Sequence, residues 1–238
     1  MERDYLIAGL RVRMDTYGRT EKQAEAYEIE KSGEPDILIH SDAWYLKEVQ
    51  PEMEEDTCEY IATGVDFFRK LIPFGALMIH SSAVVKDGYA YLFSAPCGTG
   101  KSTHTALWQE AFGDQNALIL NDDKPVLRME DGRWYAYGSP WSGKTAMNLN
   151  MRVPVGGICM LTRGETNEIV PYGGVQVVTE LLNQTSRVGN KEFRGKLLEL
   201  IGQIIEELPI WKLKCTPTVE AAIVSHKAMA EEAKKRFG

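Results

Sequence analysis

The sequence predicts an α/β protein: a mixed, partly antiparallel sheet built around a glycine-rich loop, with a small β layer before it and helices after it. Three observations carry this reading. A strand-like run, YAYLF, passes through SAPCGTGKST into the helix-like HTALWQEAF. Two Asp-Gly turns, KDG and EDG, each sit between β-like runs, which is a strong hairpin signal. After Met151 the pattern becomes a buried strand, VGGICMLTR, followed by segments with helical spacing.

In chain order, Arg3 to Leu46 reads as short β pieces (YLIAGLRVRM, AYEIE, DILIH, AWYLKEV) interrupted by Gly, Ser, Pro and Asp. This sets a boundary between a β layer over residues 1–55 and a larger α/β domain over residues 56–238. From Asp56 to Leu71 the spacing puts Tyr60, Ile61, Val65, Phe68 and Leu71 on one helical face, and Pro73 with Gly75 ends it. ALMIHSSAVV and YAYLFSA are expected to pair across KDG, and KPVLRM with RWYAYGS across EDG. Antiparallel neighbours on both sides of the glycine loop differ from the helical crossovers of a doubly wound sheet. Helices are expected near Gly174–Thr185 and Lys191–Glu207, then a strand IWKLKC and a last helix from Thr218 to Arg236.

A chain of 238 residues can bury a core as one large domain or as a domain with an appendage. No apolar run reaches the length of a membrane span and the start has no signal-peptide core, so a cytoplasmic protein with no membrane partner is expected. The net charge of −7, with Lys and Arg dispersed, argues against nucleic acid. Cys58, Cys97, Cys159 and Cys215 lack zinc spacing and read as reduced thiols. Nothing in the sequence fixes the oligomeric state.

The loop Ala95, Pro96, Cys97, Gly98, Thr99, Gly100, Lys101, Ser102, Thr103 follows the phosphate-loop pattern except that alanine replaces the first glycine. Gly98 and Gly100 let backbone N–H groups turn toward phosphate oxygens. Lys101 can neutralise β/γ charge, and Ser102 can reach Mg²⁺. A plain glycine turn accounts for the glycines but not for a lysine just before the hydroxyl at a strand-to-helix junction. Downstream, NALILNDDKP ends an apolar run in Asp122 and Asp123, as a Walker B strand would. One carboxylate can hold Mg²⁺ while the other orients or deprotonates an acceptor hydroxyl. The bland alternative is an Asx turn before Pro125.

His80, in LMIHSSAVV, is placed on the first strand of the hairpin that feeds the loop, within reach of the phosphate end; taken alone, a satisfied core histidine is the better reading of it. Tyr137 to Asn148, YGSPWSGKTAMN, is a second Gly/Lys loop in which Lys144 is a candidate phosphate or acceptor clamp, against a surface turn with a buried Trp141. Arg163, at a strand end, is a candidate transition-state cation. His104 and His226 fall in helices and read as structural.

IHSSAVVKDGYAYLFSAPCGTGKST followed by LILNDDKP resembles the HPr kinase/phosphorylase and PEP carboxykinase superfamily, over roughly Leu77 to Pro125. With the N-terminal β layer, SPWSGK and LPIWKLKCTP, the whole layout is similar to the compact HPr-kinase-like proteins of bacterial peptide-modification clusters. The resemblance implies a PEP carboxykinase-like P-loop core and an HPr-kinase-like domain over residues 56–238. It also implies ATP- and Mg²⁺-dependent phosphorylation of a serine on a peptide or small protein. In that scheme Asp122 is the hydroxyl-activating base, Asp123 and Ser102 flank Mg²⁺, and His80 lies near the transferred phosphate. The RGLG-like signature of the phosphorylase-type members is absent, and the chain is too short for a PEP carboxykinase. A small-molecule kinase of the same fold and a nucleotide-sensing module that does not turn over are the competing readings.

Overall fold

The computed structural model describes residues 2–40, 43–185 and 189–237. Among these residues the chain forms thirteen strands, arranged in two sheets, and seven α-helices. Strands β1 (Arg3–Ile7) and β2 (Leu10–Met14), helix α1 (Gly18–Ala24), and strands β3 (Glu28–Ile29) and β4 (Ile37–Ile39) make the N-terminal layer. Its sheet order is β3-β1-β2-β4. Helices α2 (Ala43–Val49) and α3 (Glu55–Leu71) lead into β5 (Ala76–Met78), β6 (Ser81–Lys86) and β7 (Tyr89–Ser94). Then come α4 (Lys101–Phe112), β8 (Leu118–Asn121), β9 (Val126–Glu130), β10 (Arg133–Tyr137) and β11 (Arg152–Arg163). The chain closes with β12 (Glu168–Pro171), α5 (Val175–Asn183), α6 (Lys191–Glu207), β13 (Ile210–Cys215) and α7 (Val219–Phe237).

The large sheet runs β5-β9-β10-β11-β7-β6-β8, with β13 also on β11 and β12 on β13. Both expected hairpins form, β6 with β7 across KDG and β9 with β10 across EDG. Strand β11 is parallel to β7 and β13 but antiparallel to β10, so the sheet is mixed. Strand alternation sends Ala90 and Leu92 of β7 into one hydrophobic core and Tyr91 and Phe93 into the other. The second core is capped by Trp108 of α4 and by Met229 and Ala233 of α7. The first reaches across α3 to Tyr5, Ile7 and Val12, so the N-terminal layer shares its core with the large sheet.

Several details depart from the sequence reading. YLIAGLRVRM is two strands, AYEIE begins as a 3₁₀ turn before the short β3, and Glu168–Pro171 adds an unexpected strand. AWYLKEV is a helix, not a strand. It is rich in helix formers and leaves Trp44 and Tyr45 63% and 57% exposed, so those aromatics join no sheet. GRTEKQA forms α1, whose buried Thr20, Gln23 and Ala24 follow an i, i+3, i+4 pattern that its mostly polar composition hides. ALMIHSSAVV is two strands rather than one. It breaks at Ile79 and His80, after which the chain leaves its partner β9 for β7, so His80 lies in a junction and not on a strand. Ser41 and Asp42, within the expected β layer, lie outside the described residues. No helix among the described residues is long and apolar enough to cross a membrane.

Candidate active site

The glycine loop joins β7 to α4. Gly98 and Gly100 have φ of +75° and +118°, which favours glycine, and a Cβ on either would meet open space. Their backbone is therefore accessible to a ligand. Lys101 opens α4 and is buried, its Nζ donating to the Ala95 carbonyl at 3.0 Å. Burial pulls the Lys101 pKa down, while the charges of Cys97, Asp123 and Asp122 pull it up. Both aspartates thus act electrostatically on the loop lysine. Pro96, Cys97, Ser102 and Thr103 are exposed, and Thr99 is half-buried.

Asp122 and Asp123 directly follow β8 and face different partners. Asp122 is buried and accepts a 2.6 Å hydrogen bond from Ser82 Oγ. Ser82 in turn shares a 2.7 Å hydrogen bond with Thr105 Oγ1 in α4, which ties the carboxylate to the helix that carries Lys101. Asp123 accepts from Tyr60 Oη at 2.9 Å, and His80 Nε2 lies 3.3 Å from its other oxygen. Lys124 Nζ is 3.8 Å from Oδ2. An Asx turn is present, but Asn121 makes it: its Oδ1 accepts from the backbone N–H of Asp123 and Lys124 at 3.0 and 2.7 Å. Neither aspartate is used up in the turn.

His80 is held by Gln184, whose Oε1 is 3.2 Å from Nδ1 and whose carbonyl accepts from the His80 N–H at 2.8 Å. Burial and the charge of Lys101 lower the His80 pKa, against the pull of Asp123, and so favour a neutral imidazole. Lys124 is likewise lowered by burial and raised by Asp123.

The second loop is anchored rather than free. Trp141 is buried, stacks on Phe67 at 4.5 Å between ring centroids, and donates from Nε1 to Thr63 Oγ1 at 3.2 Å. Gly64 makes room for it, since a Cβ there would sit 2.9 Å from the indole. Lys144 projects from the exposed turn that follows. Arg163 ends β11 and donates to the backbone carbonyls of Gly98 and, at 3.3 Å, Thr99. It grips the glycine loop by its carbonyls. Beside it lies a cavity of about 350 Å³ lined by Thr99, Thr103, Leu107, Leu161 and Cys215 among others.

The structure therefore brings Lys101, His80, Asp122 and Asp123 together. It leaves Lys144 on an exposed turn and sets Arg163 against the loop backbone. His104 is buried beside Ser225 Oγ at 3.0 Å, with its pKa lowered to about 4 by burial, and His226 meets Asp87 at 3.0 Å, so both stand in structural contacts. The sequence reading missed Ser82, Tyr60, Lys124 and Gln184. Ser82 and Lys124 stand inside the quoted motifs, and Tyr60 was visible as a helix-face residue, but helical spacing says nothing about where a hydroxyl points.

The model of the SynChlorMet cassette protein ScmC family matches residues 48–219, a stretch that includes the loop, both aspartates and the second loop. No curated protein matches the sequence. Among solved structures, the HPr(Ser) kinase/phosphatase from Coxiella burnetii is similar at 14% identity and a TM-score of 0.39, over 68% of this chain and 99% of that one. The family match agrees with the resemblance to proteins of bacterial peptide-modification clusters read from the sequence; the structural likeness is too loose to carry fold or chemistry across.

Proposed function

The chain belongs to the SynChlorMet cassette protein ScmC family, and from that premise we propose that it is an ATP-dependent kinase that transfers the γ-phosphate to a serine hydroxyl of a peptide or small protein. The observation that carries the reading is a buried loop lysine within electrostatic reach of two carboxylates that hold separate hydrogen-bond partners. A purely sensory loop has no use for a second, differently oriented carboxylate.

The residues suit nucleotide and metal. Gly98 and Gly100 leave open backbone for phosphate oxygens, Lys101 supplies a cation, and Ser102 is exposed at the start of α4. Ser102 and Asp123 would hold Mg²⁺, which takes one or two carboxylates together with substrate phosphates. Magnesium, when bound, neutralises charge between the β- and γ-phosphates. The cavity beside Arg163 offers room for the nucleoside. Asp122, oriented by Ser82, accepts the proton of the serine hydroxyl as its oxygen bonds to the γ-phosphorus. The bond from that phosphorus to the bridging oxygen breaks, and ADP leaves with the electron pair. A neutral His80 beside Asp123 adds a hydrogen-bonding group at the same mouth. Transfer of label from γ-labelled ATP to a serine-containing acceptor tests the assignment; a purified protein that binds ATP and Mg²⁺ but labels no peptide, protein or small-molecule acceptor would contradict it.

A further inference from the structure

The loop from Ser139 to Thr145 meets α3 and the N-terminal layer through side chains that read its backbone. Tyr60 Oη accepts the Gly143 N–H at 2.8 Å while donating to Asp123 Oδ2 at 2.9 Å, so one hydroxyl joins the loop to the carboxylate. Gln23, on α1, uses both ends of its amide: Oε1 accepts from the Ser142 N–H at 3.3 Å and Nε2 donates to the Gly143 carbonyl at 2.8 Å. Gly143 has φ of +71°, and a Cβ there would lie 3.2 Å from Asp123 Cβ, so the backbone runs close against the aspartate. The Tyr60 ring is flanked by two cations, Arg19 of α1 at 4.8 Å and Lys124 at 5.0 Å. Further along, Asn150 Nδ2 donates to the Ala26 carbonyl at 2.9 Å.

We propose that Tyr60 and Gln23 are positioning residues that clamp the Ser139–Thr145 loop against Asp123, which makes the N-terminal layer a working part of the site rather than an appendage. The functional half of this rests on the kinase reading above; the clamp itself does not. A phenol and an amide are suited to the task. The segment is already tied to the Asp122–Lys124 run by backbone bonds from the Lys124 N–H to the Trp141 carbonyl and from the Asp122 N–H to the Met147 carbonyl, both 3.1 Å. Tyr60 and Gln23 add contacts to the Ser142–Gly143 tip, which those bonds do not reach, from helices that place Ala24, Phe67 and Phe68 in the shared core. The loop then has one distance from Asp123, and Lys144, which follows Gly143, has one point of departure.

Hydrogen exchange followed by mass spectrometry on Tyr60→Phe and Gln23→Ala tests the clamp without requiring activity. Amides in residues 142–145 should exchange about tenfold faster or more in each variant, with α4 and β11 unchanged. A general loss of stability would speed them all. Magnesium-dependent nucleotide affinity, by calorimetry with and without the metal, should fall several-fold in Tyr60→Phe, and metal-free affinity should not. In a protein that transfers phosphate, Gln23→Ala should lower kcat about tenfold with KM for ATP unchanged. Unchanged exchange over residues 142–145 in both variants would overturn the clamp. If wild type transfers no phosphate, the kinase reading fails while the exchange result still decides the clamp. If Tyr60→Phe does not fold, Gln23→Ala decides it, because its ring-free contact leaves the packing of α3 intact.

Discussion

His80 Nε2 lies 3.3 Å from Asp123 Oδ1, and Gln184 holds the other ring nitrogen at 3.2 Å. The imidazole is thereby fixed between an amide and a carboxylate, and burial with Lys101 keeps it neutral. His80→Ala frees one oxygen of Asp123 and opens space beside it. We expect kcat for phosphoryl transfer to fall by about 10²-fold, the scale of a well-placed polar group near the reacting atoms. Nucleotide affinity measured by calorimetry should stay within a few-fold.

Lys101 spends its hydrogen bond on the Ala95 carbonyl and feels both aspartates. Lys101→Ala should therefore remove most ATP binding, a loss of about tenfold or more, since a phosphate contact to a charged group contributes about 1.5–3 kcal/mol. Equal affinity in wild type and variant by calorimetry would refute the loop assignment.

Arg163 engages the carbonyl side of Gly98 and Thr99. Its guanidinium organises the loop, so Arg163→Ala should weaken nucleotide binding several-fold and speed amide exchange across residues 96–100. A variant that binds ATP normally but has lost transfer would instead assign the arginine to the transition state.

Glu59 of α3 is fully buried, accepts from Thr20 Oγ1 and leaves Oε1 without a partner. Burial raises its pKa from 4.5 to about 7, outweighing the Thr20 hydrogen bond. The folded state thus keeps a proton that the unfolded chain releases, and stability conferred at pH 4.5 is lost as pH rises to about 7. His104, buried neutral, acts in the opposite sense, so the comparison must be with Glu59→Gln. Across that window the unfolding free energy of wild type should drop relative to Glu59→Gln by about 3 kcal/mol, at 1.36 kcal/mol per pKa unit. Urea unfolding at several pH values checks this; parallel pH curves for the two proteins would disprove it.

The local signals in the sequence were good guides wherever chemistry and spacing coincide. KDG and EDG named two hairpins because Asp-Gly supplies the left-handed turn: Asp87 and Gly88, Asp131 and Gly132 all have positive φ. The loop lysine and the two aspartates could be read for the same reason, as charged groups at the ends of apolar runs. What escaped was set by tertiary contact. Apolar flanks on both sides of His80 suggest a single strand, yet the two flanks serve different partner strands. AWYLKEV has aromatic residues that favour strands, but without a sheet to join it follows its Ala, Leu, Lys and Glu into a helix. Tyr60 and Gln23 reach the site across 83 and 120 residues of sequence, and no pattern along the chain encodes such a meeting.

The most direct measurement is phosphoryl transfer from γ-labelled ATP to a serine-containing peptide by wild type, Asp122→Asn and Asp123→Asn, with ATP·Mg²⁺ affinity measured on the same preparations. Asp122 has the buried, Ser82-oriented carboxylate and Asp123 the one bordered by Tyr60 and His80. The account predicts transfer by wild type and a loss of about 10²–10⁴ in kcat for Asp122→Asn, with affinity within a few-fold. For Asp123→Asn it predicts loss of the metal-dependent part of binding. Near-normal turnover in both variants would contradict the account, because the double aspartate would then be no more than the end of a strand.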